Sequence, residues 1–216
     1  MRNKVYDYSF VALGLVIQVV TFLFMPEHAW LSVVSGCLGV CSVCMAAQGN
    51  ILTYVFGFAQ VGTYTWLCWS QRFYAEMAIN AYYFLTMIYG VYAWRMRLKA
   101  EGEGMEIVPR RLTWRTLAVL CALTLVGAGV AGWGLAGWTD DTQPYLDAFT
   151  TVPALVAQVL MILAFREHWF IWLAVDVLSV ILWLRAGDYC MAAQYAFWCA
   201  NCFYGLRRWH KLAVGS

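Results

Sequence analysis

Eight apolar runs of bilayer-crossing length follow one another through this chain with short connections between them, which leaves few folds open. A helix needs about 20 predominantly apolar residues to cross ~30 Å of hydrocarbon, and a segment in lipid must pair every backbone N–H and C=O within itself. The runs are approximately Tyr6–Met25, Trp30–Ala47, Ile51–Trp69, Phe73–Arg95, Leu112–Leu135, Leu146–Phe165, His168–Leu184 and Tyr189–Arg208. Composition agrees, because 63% of the 216 residues are hydrophobic and 12% are charged, against ~25% charged in soluble domains. The expected fold class is an all-α integral membrane protein with eight transmembrane helices.

The connections carry nearly all the charge, and they sort it. With a cytoplasmic N-terminus, Arg2, Lys4, the Arg95–Arg115 segment, Arg166, Arg207, Arg208 and Lys211 fall on one side, and only Arg72 and Arg185 on the other. That places 12 of the 14 basic residues in the cytoplasm. This bias sets both termini inside and supports the span count. The basic front formed by Arg2 and Lys4 resembles a signal peptide, but Met25-Pro26-Glu27-His28-Ala29-Trp30 offers no small-x-small cleavage site, so the first run stays a membrane helix. The net charge of +2 follows from topology and gives no support for nucleic-acid binding.

Laid on itself with a shift of 115 positions, the chain matches Tyr74, Tyr89, Gly90 and Trp94 to Tyr189, Tyr204, Gly205 and Trp209, and spans two to four to spans six to eight without a gap. The copies run in the same sense across the membrane, so two parallel three-helix repeats need an odd linker helix. Span five supplies it, with Gly127, Gly129, Gly132, Gly134 and Gly137 permitting close packing. The expected organisation is an additional N-terminal helix in 1–28, a first repeat in 29–98, a linker and linker helix in 99–143, and a second repeat with a cytoplasmic tail in 144–216.

Of the eight cysteines, Cys41-x-x-Cys44 and Cys199-x-x-Cys202 imitate the halves of a zinc site. Both pairs sit inside apolar spans with no charged partner, where a thiol packs as a small hydrophobe, so neither metal nor disulfides are expected. Pro153 lies inside span six and cannot donate to the carbonyl of Phe149, which makes it either a hinge or a packing feature.

Polar residues at depth are the functional candidates of a membrane chain. Gln60, Asn80, Thr86, Thr150, Thr151, Gln158, Ser179, Gln194 and Asn201 are candidates, for ligand contacts or for interhelical hydrogen bonds of about 0.6–2 kcal/mol each. Asp176 is the acid nearest the middle of any span, while Glu76 lies nearer an outer end. A mid-helix charge costs about 2.5–3.5 kcal/mol, and no Lys, Arg or His lies at its depth. The carboxyl should therefore be protonated, paired or facing a wet cavity that receives a cation. Trp66, Trp172, Trp183, Tyr83 and Trp198 are placed to stack on a flat, positively charged ring. Trp94 and Trp209 fall at the cytoplasmic rim and read as headgroup anchors. Amide side chains beside such a wall suit a carboxamide or ribose hydroxyls.

The run Glu76-Met77-x-x-Asn80-x-x-Tyr83, then Tyr89-Gly90-x-Tyr92-x-Trp94, Phe149-Thr150-Thr151-x6-Gln158 and Trp169-x-x-Trp172-x3-Asp176-x-x-Ser179, closely resembles the PnuC-type nicotinamide riboside transporters over spans two to eight. The resemblance implies the three-plus-one-plus-three arrangement shared with SWEET sugar transporters, a homo-oligomer that is a trimer, and uptake of nicotinamide riboside across the bacterial inner membrane for NAD synthesis. The substrate-binding residues expected are Asn80, Tyr83, Gln158, Trp172, Asp176, Trp183, Trp198 and Asn201. A phosphorylated substrate would need a buried cation, and none lies at mid-depth, so nucleotides should be rejected. Without a relay of titratable groups, facilitated diffusion is expected, with trapping by a cytosolic riboside kinase. No cofactor is implied. A related carrier for thiamine, another nucleoside or a sugar would use similar pocket chemistry. A membrane enzyme is disfavoured, since G-x-S-x-G and H-E-x-x-H are missing and His28, His168 and His210 lie at loops or ends.

Overall fold

The computed structural model describes residues 4–24, 30–71, 74–101, 105–139, 143–186 and 189–214. Arg2, Arg72 and the connection Met25–Ala29 with His28 lie outside the described residues, as does the side chain of Glu76. Eight helices occur where the apolar runs predict them: α1 Lys4–Leu23, α2 Trp30–Ala47, α3 Leu52–Gln71, α4 Tyr74–Glu101, α5 Trp114–Trp138, α6 Pro144–Ile162, α7 His168–Ala186 and α8 Tyr189–Val214. By length and composition α2, α5, α6 and α7 are each apolar enough to cross a membrane, and α1 holds a shorter apolar stretch, Tyr8–Thr21. The helices α4 and α8 run past the apolar runs into basic ends, with Lys99 and Lys211 in their last turns where a cation suits the helix C-terminus, and Arg97 Nη1 donates to Val108 O at 3.2 Å.

The chain divides into two compact units, Met1–Val108 and Pro109–Ser216. In the first, α1, α2, α3 and α4 pack each on the next in sequence; in the second, α5, α6, α7 and α8 do the same. The boundary falls inside the expected 99–143 linker, and α5 groups with the second unit. Of its glycines, Gly132 is buried where a Cβ would meet the Tyr145 ring at 2.7 Å, and Gly127 faces Val152 of α6, whereas Gly129 and Gly137 face nothing within 4 Å. Close packing on α6 therefore rests on Gly127 and Gly132 rather than on the whole run.

Each unit has the same tight turn. After α2, the Asn50 N–H donates to Met45 O at 3.0 Å and Gly49 N–H to Ala46 O at 2.9 Å, with Gly49 at φ 70°. After α6, Phe165 N–H donates to Leu160 O at 2.9 Å and Ala164 N–H to Met161 O at 2.9 Å, with Ala164 at φ 59°. Both are Schellman caps, which satisfy the last carbonyls of a helix through a left-handed residue. In the first unit, Ser42 and Thr53 exchange side-chain bonds to each other's carbonyls at 2.9 Å and clamp α2 to α3.

The charged segment between α4 and α5 is tied down rather than free. In the first unit, Ile107 is fully buried, its N–H donates to Gly49 O at 3.0 Å, and Ile51 N–H donates to Met105 O at 3.1 Å. In the second, Arg110 N–H donates to Ala164 O at 2.7 Å and Arg166 N–H to Arg110 O at 3.1 Å. Glu167, buried in that turn, accepts from Leu112 N–H at 3.0 Å and from Arg166 Nε at 3.1 Å.

Candidate functional site

Helical periodicity gathers Trp169, Trp172, Asp176, Ser179 and Trp183 on one stripe of α7, because steps of three and four residues return to the same face. On α8 the same spacing aligns Tyr195, Trp198, Cys202, Gly205 and Trp209. The stripes meet antiparallel. Trp169 crosses Trp209 edge to face with centroids 5.9 Å apart, and Cys202 Sγ–H donates to Asp176 Oδ2 at 3.3 Å.

Asp176 and Ser179 are buried, and the bond from Cys202 is the hydrogen bond that the Asp176 side chain makes among the described residues. Asn201 is fully buried beside Cys202, and Gln158 is buried on α6. Trp198 stands edge-on to Tyr195 at 4.9 Å, with its indole Nε1–H buried and without a hydrogen-bond partner among the described residues. Trp172 and Trp183 are half-buried, four residues before and seven after Asp176 on the same stripe. In the first unit, Asn80 is buried in α4, and Tyr83 is half-buried, edge-on to Tyr82 at 5.7 Å. Thr86 and Thr150 donate their hydroxyls to the carbonyls of Tyr83 and Asp147 one turn back, which satisfies them locally. α6 stays helical through Pro153.

Three sequence expectations need correction. Trp94 and Trp209 are not headgroup anchors, because both are fully buried. Trp94 crosses Tyr54 at 5.1 Å and Trp209 crosses Trp169, each contact seated over a glycine, Gly90 or Gly205, whose missing side chain makes room for the ring. Trp66 is exposed on the face of α3 opposite its buried Tyr54, Val61 and Cys68, and with Gly62, Thr65, Trp69 and Met77 it lines an open apolar groove of about 280 Å³. Cys202 does have a charged-type partner, Asp176, which the reading of the cysteines as packing thiols missed. The 3.5-residue rhythm linking Trp198, Cys202 and Gly205 was the available signal. His168, at the start of α7, is buried between Trp169 and Trp209 with Nδ1–H donating to Phe165 O at 2.7 Å, a structural role at the turn.

An all-helical chain with four helices long and apolar enough to cross a membrane, among the described residues, has the architecture of a multi-pass membrane protein. A family model described as "Nicotinamide mononucleotide transporter" matches residues 29–211. The nicotinamide riboside transporter PnuC of Neisseria mucosa is 32% identical over 208 residues, covering 91% of this chain and 77% of the relative. That of Haemophilus influenzae is 29% identical over 210 residues, covering 97% and 91%. A riboflavin/roseoflavin transporter, RibM of Streptomyces davaonensis, is 22% identical over 190 residues, covering 87% and 88%. A crystal structure of the vitamin B3 transporter PnuC superimposes with a TM-score of 0.79 at 30% identity, covering 97% of this chain and 92% of the other. The chain belongs to the PnuC-type family of membrane transporters, and is a multi-pass transport protein of the bacterial inner membrane rather than an enzyme.

Proposed function

We propose that this chain carries nicotinamide riboside across the inner membrane by facilitated diffusion with alternating access, and that phosphorylation by a cytosolic kinase traps the product inside. The observation that carries the reading is Asp176: an acid buried mid-helix on a stripe of tryptophans, in a chain whose membrane spans hold no mid-depth Lys or Arg. Such a site favours a cationic aromatic ring and disfavours a phosphate, whose desolvation without a cation is costly. This argues for the riboside over the mononucleotide of the family description, and the riboside relatives support it.

The second-unit contacts are Gln158, Trp172, Asp176, Trp183, Trp198 and Asn201. In the first unit they are Asn80 and Tyr83. The tryptophans stack on the ring, and the amides take the carboxamide and ribose hydroxyls. Pro153 is the hinge of α6. The repeated Schellman turns, 115 residues apart, and the matching Tyr54–Gly90–Trp94 and Trp169–Gly205–Trp209 clusters support two three-helix repeats, α2–α4 and α6–α8, joined by α5 and preceded by the added α1. Both termini are cytoplasmic in this proposal, which the basic bias of the connections supports, and the assembly is a homotrimer.

The riboflavin relative favours one rival, a carrier for a different flat vitamin. Calorimetric titration of purified protein with nicotinamide riboside, then with riboflavin, thiamine and nicotinamide mononucleotide as competitors, separates them. Tight binding of the riboside with no displacement by the other three is expected. Binding of riboflavin or thiamine without the riboside overturns the substrate.

A further inference from the structure

We propose that Cys202 is a positioning residue for substrate binding, acting through Asp176; this rests on the reading of Asp176 as a substrate contact. A carboxyl buried midway along a membrane helix is costly unless hydrogen bonds hold it. Among the described residues it meets neither a basic group nor a hydroxyl. It meets a thiol, 26 residues further along and on the facing stripe of α8, with Sγ 3.3 Å from Oδ2.

A thiol suits the task in two ways. It has a single, weak donor hydrogen, so it sets the rotation of the carboxyl without neutralising it. It engages one oxygen, so Oδ1 takes no hydrogen bond from the described residues and is the atom left for a ligand donor in this proposal. Cys202 is itself buried, and Trp198 is on the same face of α8 one turn earlier. Holding a ligand-binding group in its working rotamer before the ligand arrives lowers the ordering cost of binding. Sequence alone assigns this residue to packing; the contact gives it a role that valine or alanine cannot fill.

The test is nicotinamide riboside titrated calorimetrically into the purified full chain and into C202S, C202A, D176N and D176N/C202A, each checked for its thermal midpoint. C202A is expected to weaken binding about tenfold, which is the loss of one hydrogen bond of about 1.4 kcal/mol. C202S, which restores a donor, should bind within about twofold of the parent. In the D176N background, adding C202A should change affinity by less than about twofold, because the group being positioned is already altered. Should C202A fail to fold, C202V fills the space without a donor and takes its place. Equal losses from C202A in both backgrounds mean that Cys202 only fills space, and overturn the proposal. If D176N weakens binding and C202A does not, the proposal fails while Asp176 stands as a contact. If D176N binds as the parent does, both fail.

Discussion

Gly205 is an exacting position in the second unit. A Cβ built there lies 2.6 Å from both Cε2 and Cζ2 of Trp169 and 2.8 Å from Cδ2, whereas ordinary contacts fall at 3.4–4 Å. The indole would have to retreat by about 1 Å to reach ordinary packing distance. It has little room to do so, with the rings of His168 at 4.5 Å and Trp209 at 5.9 Å, all three residues being buried. Overpacking of this kind costs about 1–3 kcal/mol. Replacing a helical glycine by alanine also gains up to about 1 kcal/mol of propensity, so a matched control is needed. Gly129 of α5 supplies it, because a Cβ there meets nothing within 4 Å. The difference in stability between Gly205→Ala and Gly129→Ala should be about 1–3 kcal/mol, or roughly 2–12 °C in unfolding midpoint for a chain of this size. The assay is thermal unfolding of purified protein followed by intrinsic fluorescence. Adding Trp169→Phe, which removes Cζ2, should shrink the penalty of Gly205→Ala. Equal midpoints for the two alanine variants would refute the packing argument.

Other outcomes follow from the same geometry. Ala164 adopts φ 59° where the matching Gly49 adopts φ 70°, so Ala164→Gly should raise the unfolding midpoint by relieving up to about 1 kcal/mol, and Gly49→Ala should lower it; a fall for Ala164→Gly contradicts this. Glu167→Ala strips the acceptor from Leu112 N–H and Arg166 and should cost about 1–3 kcal/mol, read as faster hydrogen exchange at the Leu112 amide, while Glu167→Gln keeps that bond. Trp172→Ala should weaken riboside binding by about 1–3 kcal/mol if its ring stacks on the ligand, and calorimetry at unchanged fold reads it directly.

The eight helices were legible because hydrocarbon thickness imposes a run length that nothing in a soluble core imitates, and charge in the connections marked their ends. The polar residues at depth were legible for the same reason, since Asp176, Asn201, Asn80 and Gln158 stand out against apolar neighbours and are all buried. The surroundings of those residues were not. Whether Trp209 meets headgroups or Trp169 depends on a helix-helix contact that only Gly205 permits, and a rim position looks alike in either case. The pairing of Asp176 with Cys202 spans two helices, and a thiol inside an apolar run carries no mark of its role. The backbone bonds of Ile107 to Gly49 and of Arg110 to Ala164 left no mark in the sequence either, because a main-chain contact does not depend on side-chain type.

The most direct test of the transport reading uses purified protein in sealed liposomes without any kinase, loaded or bathed with labelled nicotinamide riboside. The riboside is expected to equilibrate across the membrane, with the end point unchanged by an imposed proton or sodium gradient, and nicotinamide mononucleotide is expected not to cross. Accumulation above the external concentration when a gradient is applied would contradict facilitated diffusion and make Asp176 a coupling site, and equal entry of the mononucleotide would contradict the selectivity drawn from the missing mid-depth cation.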